Sequence, residues 1–363
     1  MSALAREHSA INLAQGFPDF NTHPQLIDFV SEAMKKGLNQ YCPMQGYPAL
    51  REMIAAKTKE LYSAEYDPEK EITVTAGATQ AIFTAISAFI KDGDEVIIIE
   101  PAYDCYVPAI ELCGGRPKYV KLDDVNFTIN WEEVKKSISA NTRMIIINTP
   151  HNPTGAILNA GDMGKLQKLV KDKDIIILSD EVYEHIIFDG FEHQSVARYP
   201  DLAERSVIVS SFGKTYHTTG WKIGYVLAPE NLMVEFRKVH QYNVFSVNTP
   251  VQAAYAELMK QKDLYLELSN FYQNKRDLFR KLIKGSRFLL KPVHGSYFQL
   301  VDFSKISDER DVDYAFRLTK EHNVAPIPMS VFYHQNEDNR YLRFCFAKED
   351  ETLERAAEKL MKV

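Results

Sequence analysis

The sequence predicts an α/β protein: a large domain with a mostly parallel sheet covered by helices, plus a smaller α+β domain. Three observations carry this expectation. The chain has 363 residues, too many for one simple core and suited to one large domain plus a smaller one. Between residues 72 and 227, short apolar runs alternate with helical stretches, as expected of strands buried on both faces. From about residue 286 the pattern changes to alternating strands with helices between them.

Taken in order, Ile72–Thr75 reads as a strand, followed by a helix over Thr79–Ile90. Val96–Ile99, Met144–Ile147 and Ile175–Leu178 are continuous apolar runs, and Ser206–Val209 and Ile223–Leu227 are short runs rich in β-branched residues. Such a βαβ pattern places ligands outside the carboxyl ends of the strands. After Pro229 come helical stretches over 230–242, 250–260 and 264–284. Tyr297–Val301 and Tyr341–Phe346 then alternate as strands, with helices over 311–322 and 350–361. No linker marks the boundary. It is set at 285, giving a large domain over 24–285 and a small one from 1–23 and 286–363.

Composition narrows the function classes. Hydrophobic residues make up 45% and charged residues 25%, ordinary for a soluble globular protein. The net charge is −6, with 43 Lys and Arg against 49 Asp and Glu, and no basic block appears, so nucleic acid is not an expected partner. No apolar run approaches the roughly 18–20 residues that span a bilayer, and Met1–Ile11 lacks the layout of a signal peptide. Cys42, Cys105, Cys113 and Cys345 form no CxxC pair. Reduced thiols in a cytoplasm, with no metal site, are the expectation.

Four segments carry chemistry. Ser210-Ser211-Phe212-Gly213-Lys214-Thr215-Tyr216 follows a buried strand. Alone, Lys214 reads as a solvated loop lysine, since Lys is almost never buried unpaired. A nucleotide-binding P-loop would need glycine at position 208, which is Ile. A penicillin-binding site would need companion Ser-Asp-Asn and Lys-Thr-Gly elements, and neither occurs. A Schiff-base lysine, flanked by Ser211 and Lys222 as phosphate ligands, is the third reading. Thr75-Ala76-Gly77-Ala78-Thr79-Gln80 joins a strand to a helix, where free N–H groups can meet an anion. Pro150-His151-Asn152-Pro153-Thr154-Gly155 follows another strand, and its two prolines fix a turn around Asn152. Asp180, in Ser179-Asp180-Glu181-Val182-Tyr183, ends a third strand. It is either a surface acid or a carboxylate aimed into a cleft, of the kind that pairs with a pyridinium nitrogen.

Asn152-Pro153-Thr154-Gly155, Asp180-x-x-Tyr183, Ser211-x-x-Lys214 and Gly220-Trp221-Lys222-x-Gly224 together resemble the signature of fold-type I PLP-dependent aminotransferases (PLP, pyridoxal 5'-phosphate). Order and spacing both match. Asn12–Phe20, Gln40-Tyr41, Gly46-Tyr47-Pro48-x-Leu50-Arg51, Glu100–Tyr106 and Arg343–Phe346 are similar to the kynurenine/glutamine aminotransferase subgroup. Ser210–Tyr225 with His240-Gln241-Tyr242 is most similar to bacterial methionine aminotransferases of that subgroup. The resemblance covers essentially the whole chain. Family members usually carry a further arm before the segment starting at Met1, and that arm contributes a pocket side chain, so this part of the pocket is expected to be missing or unreadable here.

The resemblance implies specific roles. Lys214 would bind PLP as a Schiff base and, once freed, shuttle a proton between the substrate Cα and the cofactor's C4'. Asp180 would hold the pyridine nitrogen protonated, its own pKa lowered by that cation. Asn152 and Tyr183 would hydrogen-bond the ring's 3'-oxygen, and Tyr103 would stack on the ring face. The phosphate would be held in the turn Gly77-Ala78-Thr79 by the amides of Ala78 and Thr79, by Ser211, and by Lys222, a point charge where many aminotransferases carry an arginine fork. Tyr41 matches a tyrosine that reaches the neighbouring subunit's phosphate, implying a homodimer with the active site at its interface. Arg343 would grip the substrate α-carboxylate, helped by Asn152 and the Gly16 backbone. Arg340, on the other strand face, is the weaker candidate.

Aspartate-preferring enzymes of this fold bring a second arginine from the stretch corresponding to Gln241–Thr249. This sequence has no Arg between Arg237 and Arg276, so a dicarboxylic donor would leave a charge poorly paired. That stretch instead supplies Phe245, which by resemblance enters the neighbouring pocket, with Phe20, Tyr41 and Tyr103 as further aromatic walls. The expected donors are methionine, which packs well on aromatic edges, and aromatic or other large uncharged amino acids, in a ping-pong reaction with a 2-oxo acid. A kynurenine/glutamine transaminase with cysteine-S-conjugate β-lyase activity is the alternative. A non-catalytic PLP-binding regulatory module is disfavoured, because such regulators carry a fused DNA-binding domain and this chain has no room for one.

Overall fold

The computed structural model describes residues 1–363. Its centre is a seven-stranded sheet of β2 (Ile72–Thr75), β3 (Glu95–Glu100), β4 (Arg116–Lys121), β5 (Thr142–Asn148), β6 (Ile176–Asp180), β7 (Ser206–Ser211) and β8 (Gly224–Leu227), in the order β2-β8-β7-β6-β5-β3-β4. Pairings from β4 through β7 are parallel, while β8 runs antiparallel to both neighbours. The mostly parallel sheet read from the apolar runs is therefore borne out, with the reversal of β8 added.

The continuous apolar runs follow from cores on both faces. Ile97, Ile99, Ile145, Ile147 and Ile177 enter one core with Leu50, Ile54 and Tyr255. Their neighbours Val96, Ile98, Met144, Ile146 and Leu178 enter another with Ile82, Ile86, Met233 and Phe236. Alternate residues point to opposite faces, so both registers must be apolar. Strand β4 was not expected. Its Arg-Pro-Lys-Tyr-Val-Lys sequence lies at the sheet edge with most residues outside the core, and charged residues and Pro suit an unpaired edge.

A second sheet, β12-β13-β10-β9, is formed by β9 (Leu289–Leu290), β10 (Phe298–Asp302), β12 (Ile327–Pro328) and β13 (Tyr341–Cys345), all antiparallel. At the N-terminus β1 (Ile11–Asn12) pairs with β11 (Val324–Ala325), and the Cys345 amide donates to the Leu13 carbonyl at 2.7 Å. The stretch read as one helix over 264–284 is two, Asp263–Leu266 and Leu268–Leu282. The core beside the second sheet also takes Leu268, Tyr272, Phe279 and Ile283. We propose the domain division at 285 on sheet membership, although this core reaches back across it. No helix is long and apolar enough to cross a membrane.

Candidate active site

Four strand ends and one crossing strand converge on a cavity of about 450 Å³ between the two sheets. Register does the assembly. Asn148, last in β5, lies beside Asp180, last in β6. Ser211, last in β7, and Thr75, last in β2, both lie beside Gly224, first in β8. Gly77, Ala78, Thr79, Tyr103, Asn152, Asp180, Tyr183, Ser211, Lys214, Lys222, Arg343 and Gly16 all line the cavity.

Lys214 stands on the one-turn helix Phe212–Thr215 that continues β7. Its Nζ donates to the Gly16 carbonyl at 3.0 Å and to the Tyr297 hydroxyl oxygen at 2.7 Å. Tyr297 in turn donates to the same Gly16 carbonyl. Burial lowers the Lys214 amine to about 8, and Arg343 and Lys222 push the same way, so a far larger neutral fraction exists near neutrality than for an ordinary lysine.

Asp180 is buried at the cavity floor. Tyr106 donates to its Oδ2 at 2.5 Å and the Val182 amide to its Oδ1 at 3.3 Å. Burial raises the carboxyl to about 6 despite these donors. The lowered pKa expected opposite a ring cation is thus not the property of the protein alone, in which desolvation dominates. Asn148 bridges the strand ends: its Nδ2 donates to the Asp180 carbonyl at 2.9 Å, and its Oδ1 accepts from the Asn152 amide at 2.8 Å.

An anion would meet a ready cup at the helix Ala78–Phe89. Its N-cap is Gly77, with φ +80 and no side chain to satisfy the first amides. The free N–H groups there favour negative charge. Lys222 leans over this turn, its Nζ 3.4 Å from where a Cβ on Gly77 would stand. Tyr103, its hydroxyl pushed up to about 12 by burial, neighbours Thr79.

Arg343, on β13, reaches from the second sheet. Its Nη1 donates to Asn152 Oδ1 at 2.5 Å and its Nη2 to the Ala14 carbonyl at 3.2 Å. The guanidinium lies between the Phe298 ring at 3.9 Å and the Phe332 ring at 4.9 Å. Its buried Nε has no partner. An unpaired donor on a buried cation points to an anionic ligand, since such a group is costly to leave unmet. Arg340 instead pairs with Asp308 on the surface.

Three residues singled out in the sequence lie elsewhere. Phe20 packs on His217 and Phe271, at 4.7 and 5.4 Å between ring centroids, in a separate hollow behind Lys214. Tyr41, 80% exposed, and Phe245, 41% exposed, touch each other at 5.2 Å on the outer surface. Conversely, Tyr297, Ile327, Val331 and Phe332 hold or line the site without having been singled out. Tyr297 opens an alternating strand and so reads as core. Tyr106 stood within a quoted segment, but nothing local showed that it faces Asp180, 74 positions away.

Residues 8–360 match the family of class I and II aminotransferases. The chain is 48% identical to the methionine aminotransferase of Escherichia coli, over 99% of this chain and 94% of that one. It is 35% identical to human kynurenine–oxoglutarate transaminase 1, over 99% and 93%. Among solved structures, Escherichia coli YbdL, for which a methionine aminotransferase function was identified, superposes with a TM-score of 0.98 at 47% identity, covering 100% of this chain and 95% of that one.

Proposed function

The chain belongs to the class I and II aminotransferase family, and on that footing we propose that it uses PLP, held through Lys214, to move amino groups from methionine and other large uncharged amino acids to 2-oxo acids. It is an aminotransferase of the fold-type I class. The observation that carries the finer reading is the cavity itself, which joins an amine of lowered pKa, a buried carboxylate, an open helix start and one arginine. Its four features fit the aldehyde, ring nitrogen, phosphate and substrate carboxylate respectively.

When bound, PLP supplies an aldehyde that takes up the amino group and a ring that spreads the charge left when Cα loses its proton. The chain's residues do the rest. Arg343 holds the substrate carboxylate and thereby orients Cα. Asn152 spends its Oδ1 on Arg343, so its Nδ2 is left to donate, with Tyr183, to the ring oxygen. Asp180, fixed by Tyr106 and the Val182 amide, holds the proton on the ring nitrogen. The Ala78 and Thr79 amides, Ser211 and Lys222 would hold the phosphate, and Tyr103 would support the ring. Lys214 would take and return the proton at the substrate Cα. Two of its N–H bonds go to Tyr297 and Gly16, which supports an amine whose remaining position is free to act as a base.

Arg343 is the only arginine lining the cavity, and Ile327, Val331, Phe332 and Phe298 are apolar walls. Both support monocarboxylic donors over dicarboxylic ones. The exposed Tyr41, Phe245 and the 90% exposed Tyr242 support a homodimer in which Tyr41 and Phe245 serve the neighbouring cleft. Four free cysteines suit a reducing cytoplasm. Steady-state rates on a panel of donors test the substrate reading. Methionine and phenylalanine should lead, and aspartate outrunning both would sink it.

A further inference from the structure

Glu100 ends β3, three residues before Tyr103, and is 1% exposed. Both of its carboxylate oxygens are taken by one residue of the other sheet's territory. The His334 main-chain amide donates to Oε1 at 2.7 Å, and His334 Nδ1 pairs with Oε2 at 2.9 Å. The His334 ring stacks flat on Tyr119 of β4, with centroids 3.9 Å apart and an interplanar angle of 1°. Beside this pair, the Ala102 amide donates to the Phe332 carbonyl at 2.9 Å, and Lys121 pairs with Glu337. The turn that carries Val331 and Phe332 into the cleft is thus bolted to the seven-stranded sheet. Phe332 also covers the Arg343 guanidinium.

A buried carboxylate is costly unless its oxygens are met. Glu100 meets that requirement only while residues 329–334 stay against β3. We propose that Glu100 and His334 are positioning residues for donor selection: their pairing fixes the wall made by Val331 and Phe332, and so sets the room for the donor's side chain. This rests on the aminotransferase reading above and adds to it the device that shapes the side-chain pocket.

The test compares His334→Ala and His334→Asn with the parent enzyme. The Asn amide nitrogen stands where His Nδ1 does, so it keeps the bond to Glu100 and drops the stack on Tyr119. In His334→Ala, KM for methionine and phenylalanine should rise about tenfold, the scale of one hydrogen bond to a charged group, with kcat and the KM for alanine little changed. Amide hydrogen exchange over 329–338 should quicken in the same variant, and His334→Asn should restore both readouts. Unchanged exchange and KM in His334→Ala would overturn the proposal. So would an equal rise for all three donors, which would place the effect at Arg343, or a failure of Asn to rescue. A parent enzyme inactive on every donor would instead overturn the function reading.

Discussion

Lys214 holds its amine between two oxygens from different parts of the chain, Gly16 near the N-terminus and Tyr297 on the way into β10. Desolvation, not a neighbouring charge, is the first cause of its lowered pKa. In the cofactor-free protein, acylation of Lys214 followed by peptide mapping should titrate with a midpoint near 8, against about 10.4 for an ordinary lysine. An ordinary midpoint would show the amine to be solvated. Tyr297→Phe removes one of its two acceptors. The single-turnover rate with methionine should fall about tenfold, as expected for one lost bond to an amine, while an unchanged rate would make Tyr297 mere packing. At this scale the sequence disclosed the residues that stand in linked motifs, such as Asp180 and Arg343. It did not disclose Tyr297 or Tyr106, because their partners lie 83 and 74 positions away and neither residue breaks its local pattern.

The turn after β6 presents two faces. Asp180 and Tyr183 line the cleft, while Glu181 and Glu184 point the other way. Glu181 meets Ser179 and His193, both at 2.7 Å. Glu184 meets Lys57 at 2.7 Å, Tyr62 at 2.5 Å and Tyr225 at 3.0 Å. Burial alone would push the Glu184 carboxyl up, but Lys57, with His185 and Tyr62, holds it well below the usual carboxylate range. A lowered carboxyl stabilises the fold above the unfolded pKa of about 4.3 and loses that contribution as pH falls through the folded value. Lys57→Met should therefore destabilise by about 3–5 kcal/mol at neutral pH, the cost of an unpaired buried charge. In that variant the Glu184 pKa is raised, so its penalty eases on acidification. Melting curves at pH 8 and pH 5 should show the gap to the parent narrowing, and a constant gap would contradict this. Gly224→Ala acts at the anion cup. Its Cβ would stand 2.7 Å from the Ser210 carbonyl and 3.1 Å from the Ala78 amide, so PLP affinity by equilibrium titration should weaken, and an unchanged affinity would contradict this. The elements themselves were largely legible, because burial on both faces leaves unbroken apolar runs. Strand β4 was hidden by its edge position, and the direction of β8 leaves no trace in periodicity.

The whole molecule places its cleft between two sheets, with the N-terminal segment paired to β11 through β1 and tied to β13 of the smaller sheet by the Cys345–Leu13 hydrogen bond. Arg343, Gly16 and Tyr297 come from that side, and Lys214, Asp180 and Asn152 from the other. The change in pattern near 286 was readable in the sequence, and the second sheet begins there with β9. The place of Phe20 was not, since a pocket aromatic and a packed one look alike in one sequence: it packs on His217 and Phe271 away from the cleft, whereas Tyr41 lies on the outer surface, where a role toward a neighbouring subunit would put it. If Tyr41 serves the neighbour, mixing inactive Lys214→Ala and Tyr41→Ala proteins should restore activity through hybrid dimers, whereas no recovery would argue for self-contained subunits. Every role assigned in the cleft depends on Lys214 as the lysine that would carry PLP. Borohydride reduction of the PLP-loaded enzyme, followed by peptide mass mapping, tests it most directly. The added mass should fall on Lys214 alone, and its appearance on another lysine, or on none, would contradict that role.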